Sequence, residues 1–395
     1  MAPSLLRSAL ILGLLSAVGP FSIDMYLPAM PAIGESLGAP VASVQGTITA
    51  FFLAFGISQL FYGPWADMAG RKPPLVFGLC LFAAASVACA LAPDIAWLTA
   101  ARFVQGLGAA VVMVIPRAVI RDLHTGHEAT RLMAMIMLVI SVSPMLAPLA
   151  GSLTILAFGW RAIFWILVVA TGASLLVTLF LQPETLPPGR RVPVDVRALA
   201  RGAVKLLGDP VFKGLTFVGG FGMASFFVFM SSASFVYTSQ YGLSPTQFSL
   251  AFAANAIGFF GASQLAATLG QRYGAAKVVF RAVWGFFAAT AVLAALALAT
   301  EIGLLTLIAL LLVANACLGL VIPTTMVMAL DDHGDNAGLA SSLGGTLQMV
   351  AGGATIVLTA PFFDATVRPM ALAIFLCAAG ALALTLLLGR RIART

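Results

Sequence analysis

Charge is what this chain has least of. Asp, Glu, Lys and Arg together make up 9% of it, against about 25% in a soluble domain, while 61% is apolar. That composition excludes a soluble fold. Histidine numbers three and cysteine four. Cys80, Cys89, Cys317 and Cys377 all fall within apolar runs, where a thiol packs as a small hydrophobe rather than in a disulfide or zinc framework. His124 and His127 share one polar loop, and no metal spacing joins them to carboxylates. A G-x-x-x-x-G-K-[ST] loop to cradle phosphates is absent, and so is an H-E-x-x-H helix. Those absences remove an ATP-driven pump and a zinc-dependent intramembrane enzyme. Asp24 has no second acid nearby to form a catalytic dyad. The chain reads as a non-enzyme without metal or cofactor, and any transport by it as secondary.

What is present is a series of long apolar runs, with a mean hydropathy of +1.04. At about 20 residues each, twelve helical spans use roughly 240 residues and leave no room for a large extramembrane domain. Charged or Pro/Gly-rich breaks set the spans near 5–28, 42–64, 74–92, 95–117, 132–157, 162–182, 213–237, 247–268, 277–299, 303–328, 338–361 and 370–389. The first run follows Arg7 as a signal peptide would, but no A-x-A-like cleavage site follows it, so it reads as an uncleaved first span.

The net charge of +7 reflects topology rather than nucleic-acid binding. With a cytoplasmic N-terminus, every Lys and Arg except Arg102, Arg161 and Arg368 falls in a cytoplasmic segment, as the positive-inside rule requires. Both termini are expected on the cytoplasmic side, with the chain a monomer. The polar stretch between Pro183 and Pro210 divides the spans six and six: an N-terminal half 1–182, a linker 183–212 and a C-terminal half 213–395. Arg197, Arg201 and Lys205 recur there at helical spacing, which suits either contact with anionic lipid or a solvated linker. The run Asp331-Asp332-His333-Gly334-Asp335 reads as a solvated turn. The halves carry a faint repeat. Gly70 and Gly274 lie 204 residues apart, and Ile115-Pro116 recurs 207 residues later as Ile322-Pro323. Such parallel repeats build two-half transporters.

Three motifs carry a family resemblance. The string Gly63-Pro64-Trp65-Ala66-Asp67-Met68-Ala69-Gly70-Arg71-Lys72-Pro73 has glycines for close packing and a tight turn, with Asp67 at the mouth of a helix. It resembles the G-x-x-x-D-R-x-G-R-K/R signature of the major facilitator superfamily, with Met68 where the family has Arg. Arg102, Gln105, Gly106 and Gly108 resemble the superfamily's R-x-x-Q-G-x-G motif. The string Asp24-Met25-Tyr26-Leu27-Pro28-Ala29-Met30-Pro31 resembles the bicyclomycin and chloramphenicol resistance (Bcr/CflA) branch of the drug:proton antiporters. Gly159-Trp160-Arg161, Pro183-Glu184-Thr185-Leu186 and a stretch from Ala337 to Gln348 extend the likeness along nearly the whole chain. Pro144, Pro148 and Gly151 stand where that branch has its antiporter motif, although two of the motif's three glycines are changed here.

The resemblance implies an all-helical major facilitator fold of twelve transmembrane helices around a central cavity. It further implies alternating access, with Gly63, Asp67, Gly70, Arg71 and Lys72 as a cytoplasmic gate. In that gate Asp67 would meet the helix start near Gly338 to Ser341, with Arg71 and Asp122 as partners. Asp24 is the only acid clearly inside a span. At about 1.5 Å per residue it lies roughly 6 Å from Pro28, and Arg102 roughly 10 Å from Ile95, so both belong to the outer half of the membrane. On adjacent helices the two would pair, either as a proton-coupling couple or as a fixed ion pair that organises the fold. Candidate substrate contacts are Tyr26, Gln105, Phe226, Phe229, Asn255 and Gln348, mostly aromatic with few polar anchors, which suits amphipathic drugs of the phenicol or bicyclomycin kind. The alternative is a proton-coupled importer of a small metabolite on the same fold.

Overall fold

The computed structural model describes residues 5–124, 126–193, 195–331, 333 and 337–392. Asp332, Gly334, Asp335 and Arg394 lie outside them, as do the side chains of His127, Arg390 and Arg391. Among the described residues the regular structure is helical, with no strand. An apolar run in lipid must satisfy its backbone internally, and the helix does so within one segment. Twelve described segments are long and apolar enough to cross a membrane: Arg7–Leu37, Val41–Ala69, Lys72–Ala90, Ile95–Leu123, Arg131–Phe158, Arg161–Phe180, Pro210–Gln240, Pro245–Tyr273, Ala275–Ala299, Leu304–Asp331, Gly338–Phe362 and Val367–Gly389. They are numbered as spans 1 to 12 below.

Several spans outrun their sequence boundaries, and proline is the reason. Span 1 does not stop at Pro28. Its helix Leu5–Asp24 passes through the short 3-10 turn Leu27–Ala29 into Met30–Leu37, with Pro28 and Pro31 at first-turn positions that need no N–H partner. Span 2 runs on through Pro64 to Ala69, and span 4 through Pro116 to Leu123. Proline bends these helices without ending them. Asp67 therefore lies in the last turn of span 2, not at the mouth of the helix that follows.

The chain divides into two compact units, Met1–Asp195 and Val196–Thr395. Inside the first, spans 1 and 5, 2 and 4, 3 and 4, and 3 and 6 pack together. Inside the second, spans 7 and 11, 8 and 10, 9 and 10, and 9 and 12 do the same. The pairing repeats in order, the three-dimensional counterpart of the faint sequence repeat. Part of the polar stretch between the halves is the helix Val196–Gly208. Its Leu206 is buried with Phe212 and Leu215, while Arg201 and Lys205 remain exposed. His333 is tied down rather than solvated: its Nε2 lies 3.0 Å from Asp209 Oδ2.

Glycine sets how closely the spans approach. A Cβ on Gly106 would strike the backbone carbonyl of Phe51 in span 2, and one on Gly108 would lie 2.6 Å from the Phe82 nitrogen in span 3. The second unit repeats the device with Gly319 against the Phe259 carbonyl. Gly63 differs, because a Cβ there meets nothing within 4 Å. Its expected close contact is not made within its unit. Gly106→Ala should therefore destabilise the protein by about 1–3 kcal/mol. Gly63→Ala should leave stability unchanged or raise it by up to about 1 kcal/mol. Thermal unfolding of the purified variants in detergent checks both.

Candidate functional site

Span 1 carries two polar groups that point different ways. Asp24 ends the first helix and is 3% exposed. Ser143 Oγ of span 5 donates to its Oδ2 at 3.1 Å. Pro144 follows that serine, and Gly151, two turns on, packs against Met25: a Cβ there would overlap the Met25 carbonyl. The motif residues Pro144, Pro148 and Gly151 thus belong to the helix that seats the Asp24 segment. Gly151 permits close approach, and the two prolines bend the helix at that level.

Tyr26, two residues further on, faces Arg102 instead. Arg102 is fully buried, its guanidinium carbon 4.4 Å from the Tyr26 ring centroid and 4.3 Å from that of Phe51. Its Nη1 donates to Gln105 Oε1 at 2.6 Å and to the Ser22 carbonyl at 3.3 Å. Gln105 Nε2 in turn donates to Ser86 Oγ at 2.7 Å. Tyr26 is pinned by a 2.5 Å bond to Thr47 Oγ1. The Thr47 hydroxyl gives its own proton to the Val44 carbonyl, so the tyrosine must be the donor. Arg102 Nε and Nη2 find no acceptor among the described residues.

The ion pair expected between Asp24 and Arg102 is not made: among the described residues no such contact falls within 4 Å. Positions two apart on a helix look in nearly opposite directions, so Asp24 meets span 5 while Tyr26 meets span 4. Sequence reasoning missed Ser143 as the partner of Asp24. It also missed the pair of rings that replaces a carboxylate beside Arg102. Ser143 adjoins Pro144, so the proline motif was the available pointer.

In the second unit Phe226 stacks on Phe259 at 5.0 Å and Phe229 on Phe252 at 5.4 Å. Asn255 donates to the Ala251 carbonyl at 3.1 Å, and its Oδ1 accepts from Asn315 at 3.5 Å. Gln348 Nε2 and Thr216 Oγ1 are buried without a partner among the described residues. Space for the Gln348 amide exists because span 7 has glycine at 219, where a Cβ would come within 2.6 Å of it. The unit therefore holds stacked aromatic rings together with buried polar groups, some of them without a partner among the described residues.

The segment between spans 2 and 3 is a closed network. Gly70 adopts φ +99°, a conformation that disfavours any side chain. Arg71 Nε and Nη2 donate to the two oxygens of Asp122 at 2.7 and 3.2 Å, and Nη1 donates to Asp67 at 2.5 Å. Glu184 closes the network, accepting from the backbone N–H of Arg71 at 2.8 Å, Lys72 at 3.0 Å and Leu186 at 2.9 Å. Lys72 Nζ donates to the Leu179 carbonyl at 2.8 Å. Partial burial alone would raise the Glu184 pKa, but its backbone donors outweigh it and hold the carboxyl below the usual range. Its contribution to stability is therefore complete above that range and is lost as pH falls through the lowered value. Burial would likewise lower the Arg71 pKa, but Asp122 and Asp67 outweigh it and raise it.

The sequence matches the profile of the Major Facilitator Superfamily over residues 12–356. The chain belongs to this superfamily. It is a multi-pass membrane transporter. It is 35% identical over 349 residues to an uncharacterized MFS-type transporter, YdgK, of Bacillus subtilis, covering 88% of this chain and 87% of that one. It is 32% identical over 266 residues to a bicyclomycin resistance protein homolog of Haemophilus influenzae, with 67% of each chain covered. The crystal structure of the peptide transporter POT matches with a TM-score of 0.78 at 14% identity, over 98% of this chain and 95% of that one.

Within this major facilitator signature the two carboxylates facing Arg71 are unequal. The side chain of Asp122 is 16% exposed, that of Asp67 56%. Asp122→Asn should cost about 2 kcal/mol, because it strips charge from a bidentate, mostly buried pair. Asp67→Asn should cost less than about 1 kcal/mol. Thermal unfolding of the two variants side by side measures the difference.

Proposed function

We propose that this transporter exports amphipathic, drug-like compounds in exchange for protons, with Asp24 as the group that carries the proton. The observation that carries this reading is the setting of Asp24: a carboxyl buried in a span, held by a neutral serine, on a segment seated by the proline-glycine motif of span 5. An ionisable group in such a place is a functional candidate by default. Its neutral form suits these surroundings, and its charged form calls for a counter-charge.

Arg102 is suited to answer that call. It already bonds the carbonyl of Ser22, two residues from Asp24, and keeps two N–H-bearing nitrogens without acceptors. Loss of the proton from Asp24 favours a rearranged state in which those donors approach the carboxylate, and reprotonation releases them. The cycle then alternates between a neutral, serine-bonded Asp24 and a paired one. Tyr26 and Gln105 position the guanidinium. We assign substrate contact to Phe226, Phe229, Asn255 and Gln348, where stacked rings and a few amides, that of Gln348 without a partner among the described residues, suit compounds with a broad apolar body and few polar groups. The bicyclomycin resistance homolog from Haemophilus supports drugs of that kind as cargo. Distribution of Lys and Arg supports the cytoplasmic membrane of a bacterium, both termini inside, and we take the working unit to be a monomer. The network at Gly70, Arg71, Lys72, Asp67 and Asp122 serves as the cytoplasmic gate, with Gly63 free to close on a neighbour in another state.

Inside-out vesicles containing the protein, acidified and then offered phenicols, bicyclomycin, fluoroquinolones or sulfonamides in turn, test the exchange. At least one compound should evoke proton release, and Asp24→Asn should reduce that release about tenfold or more at equal protein level. Full release in Asp24→Asn would remove Asp24 from the mechanism. Proton movement in the same direction as a metabolite would replace export by import.

A further inference from the structure

The sequence repeat aligns the start of span 3 with the start of span 9, Gly70 with Gly274. Both glycines have positive φ, +99° and +88°. In the first unit the N–H groups that open span 3 end on a carboxylate, Glu184. In the second unit the helix Ala275–Ala299 opens with no side-chain cap. The residues that knit the first network have no equivalents there: Asp67 aligns with Gln271, Arg71 with Ala275 and Lys72 with Ala276. In place of the carboxylate there is a cavity of about 600 Å³, lined by Tyr273, Lys277, Phe280, Arg281, Met328 and Asp331 among others.

Among the described residues that line this cavity the charges are unbalanced. Lys277 and Arg281 are exposed, one helical turn apart, and neither makes an ion pair or side-chain hydrogen bond with a described residue. Asp331, also exposed, is a single acid against two cations and lies outside 4 Å of both. An uncapped helix start adds further positive potential. Apart from Thr385, whose hydroxyl donates to the Ala381 carbonyl, the remaining wall is mostly apolar, with Val279, Phe280 and Met328 beside the charged residues. Arg272 lies over the Tyr273 ring at 5.3 Å beside it, an aromatic-basic pairing typical of a membrane-water boundary.

We propose that this cavity binds an anionic phospholipid, its phosphate at the start of span 9 beside Lys277 and Arg281 and its acyl chain along Phe280 and Met328. The lipid phosphate supplies to the second unit the anion that Glu184 supplies to the first. A free phosphate shares the anionic chemistry, but it leaves the apolar wall unused. The cytoplasmic leaflet, where anionic lipid attracts basic residues near span ends, follows from the orientation proposed above, whereas the site itself does not depend on transport.

Native mass spectrometry of the full-length protein, titrated with phosphatidylglycerol or phosphatidylcholine, tests this assignment. Phosphatidylglycerol should bind in preference to phosphatidylcholine, and the double variant Lys277→Gln, Arg281→Gln should weaken its binding about tenfold or more. Asp331→Asn should strengthen binding, a change that misfolding cannot imitate. Asp24→Asn should leave it intact while reducing exchange about tenfold or more, so failure of the transport reading and failure of this one are distinguishable. Equal binding of the two lipids, or phosphatidylglycerol binding unchanged in the double variant, overturns the proposal. Displacement of the lipid by millimolar inorganic phosphate also overturns it and makes the cavity a free-anion site.

Discussion

Arg102 is the constraint to which the first unit answers. A guanidinium with no exposed surface inside a membrane span costs at least about 2.5–3.5 kcal/mol unless its surroundings respond. Here the response comes from four spans: a glutamine one turn away on its own helix, a carbonyl and a tyrosine ring from span 1, a phenylalanine ring from span 2 and, through Gln105, a serine from span 3. Those groups come within reach only because Gly106 and Gly108 let span 4 lie directly on the backbones of spans 2 and 3. The R-x-x-Q-G-x-G motif is therefore one device, in which the glycines create the closeness and the arginine and glutamine exploit it. That the response is incomplete, with two nitrogens lacking acceptors, leaves the site able to take an anion in another state.

The two units use one packing plan and diverge in charge. The same order of span pairs recurs in both, and a glycine against a carbonyl recurs between spans 2 and 4 and between spans 8 and 10. Yet the first unit buries an acid and an arginine and closes the turn after span 2 with five charged side chains, Asp67, Arg71, Lys72, Asp122 and Glu184. The second buries stacked rings and amides and leaves its corresponding turn open, with two cations that pair with no acid among the described residues. Geometry inherited by repetition thus sets the scaffold, and a handful of ionisable residues distinguishes what each unit does with it.

The fold was legible because hydropathy and the positive-inside pattern depend on composition over whole segments, and the twelve spans follow from it. Their ends were less legible, since Pro28, Pro64 and Pro116 look like breaks in a sequence and act as bends in helices supported by neighbouring spans. Within the site, Gln105 beside Arg102 could be read from helical spacing. The separation of Asp24 from Arg102 could not, because it depends on which way span 1 turns between Asp24 and Tyr26. Glu184 was visible as part of a family string, but its role as the cap of span 3 required the chain to return from a position 112 residues on from Lys72. Gly63 is a motif glycine with no close neighbour here, and nothing in its packing explains it.

Exchange of a proton at Asp24 for cargo is the centre of the account, and the pH dependence of drug binding to the purified transporter tests it most directly. Once a cargo compound is known from vesicles, its dissociation constant is measured from mildly alkaline to mildly acidic pH for the native chain and for Asp24→Asn. The account predicts that affinity weakens on acidification in the native chain and becomes independent of pH in the variant. The same pH dependence in both proteins would contradict it.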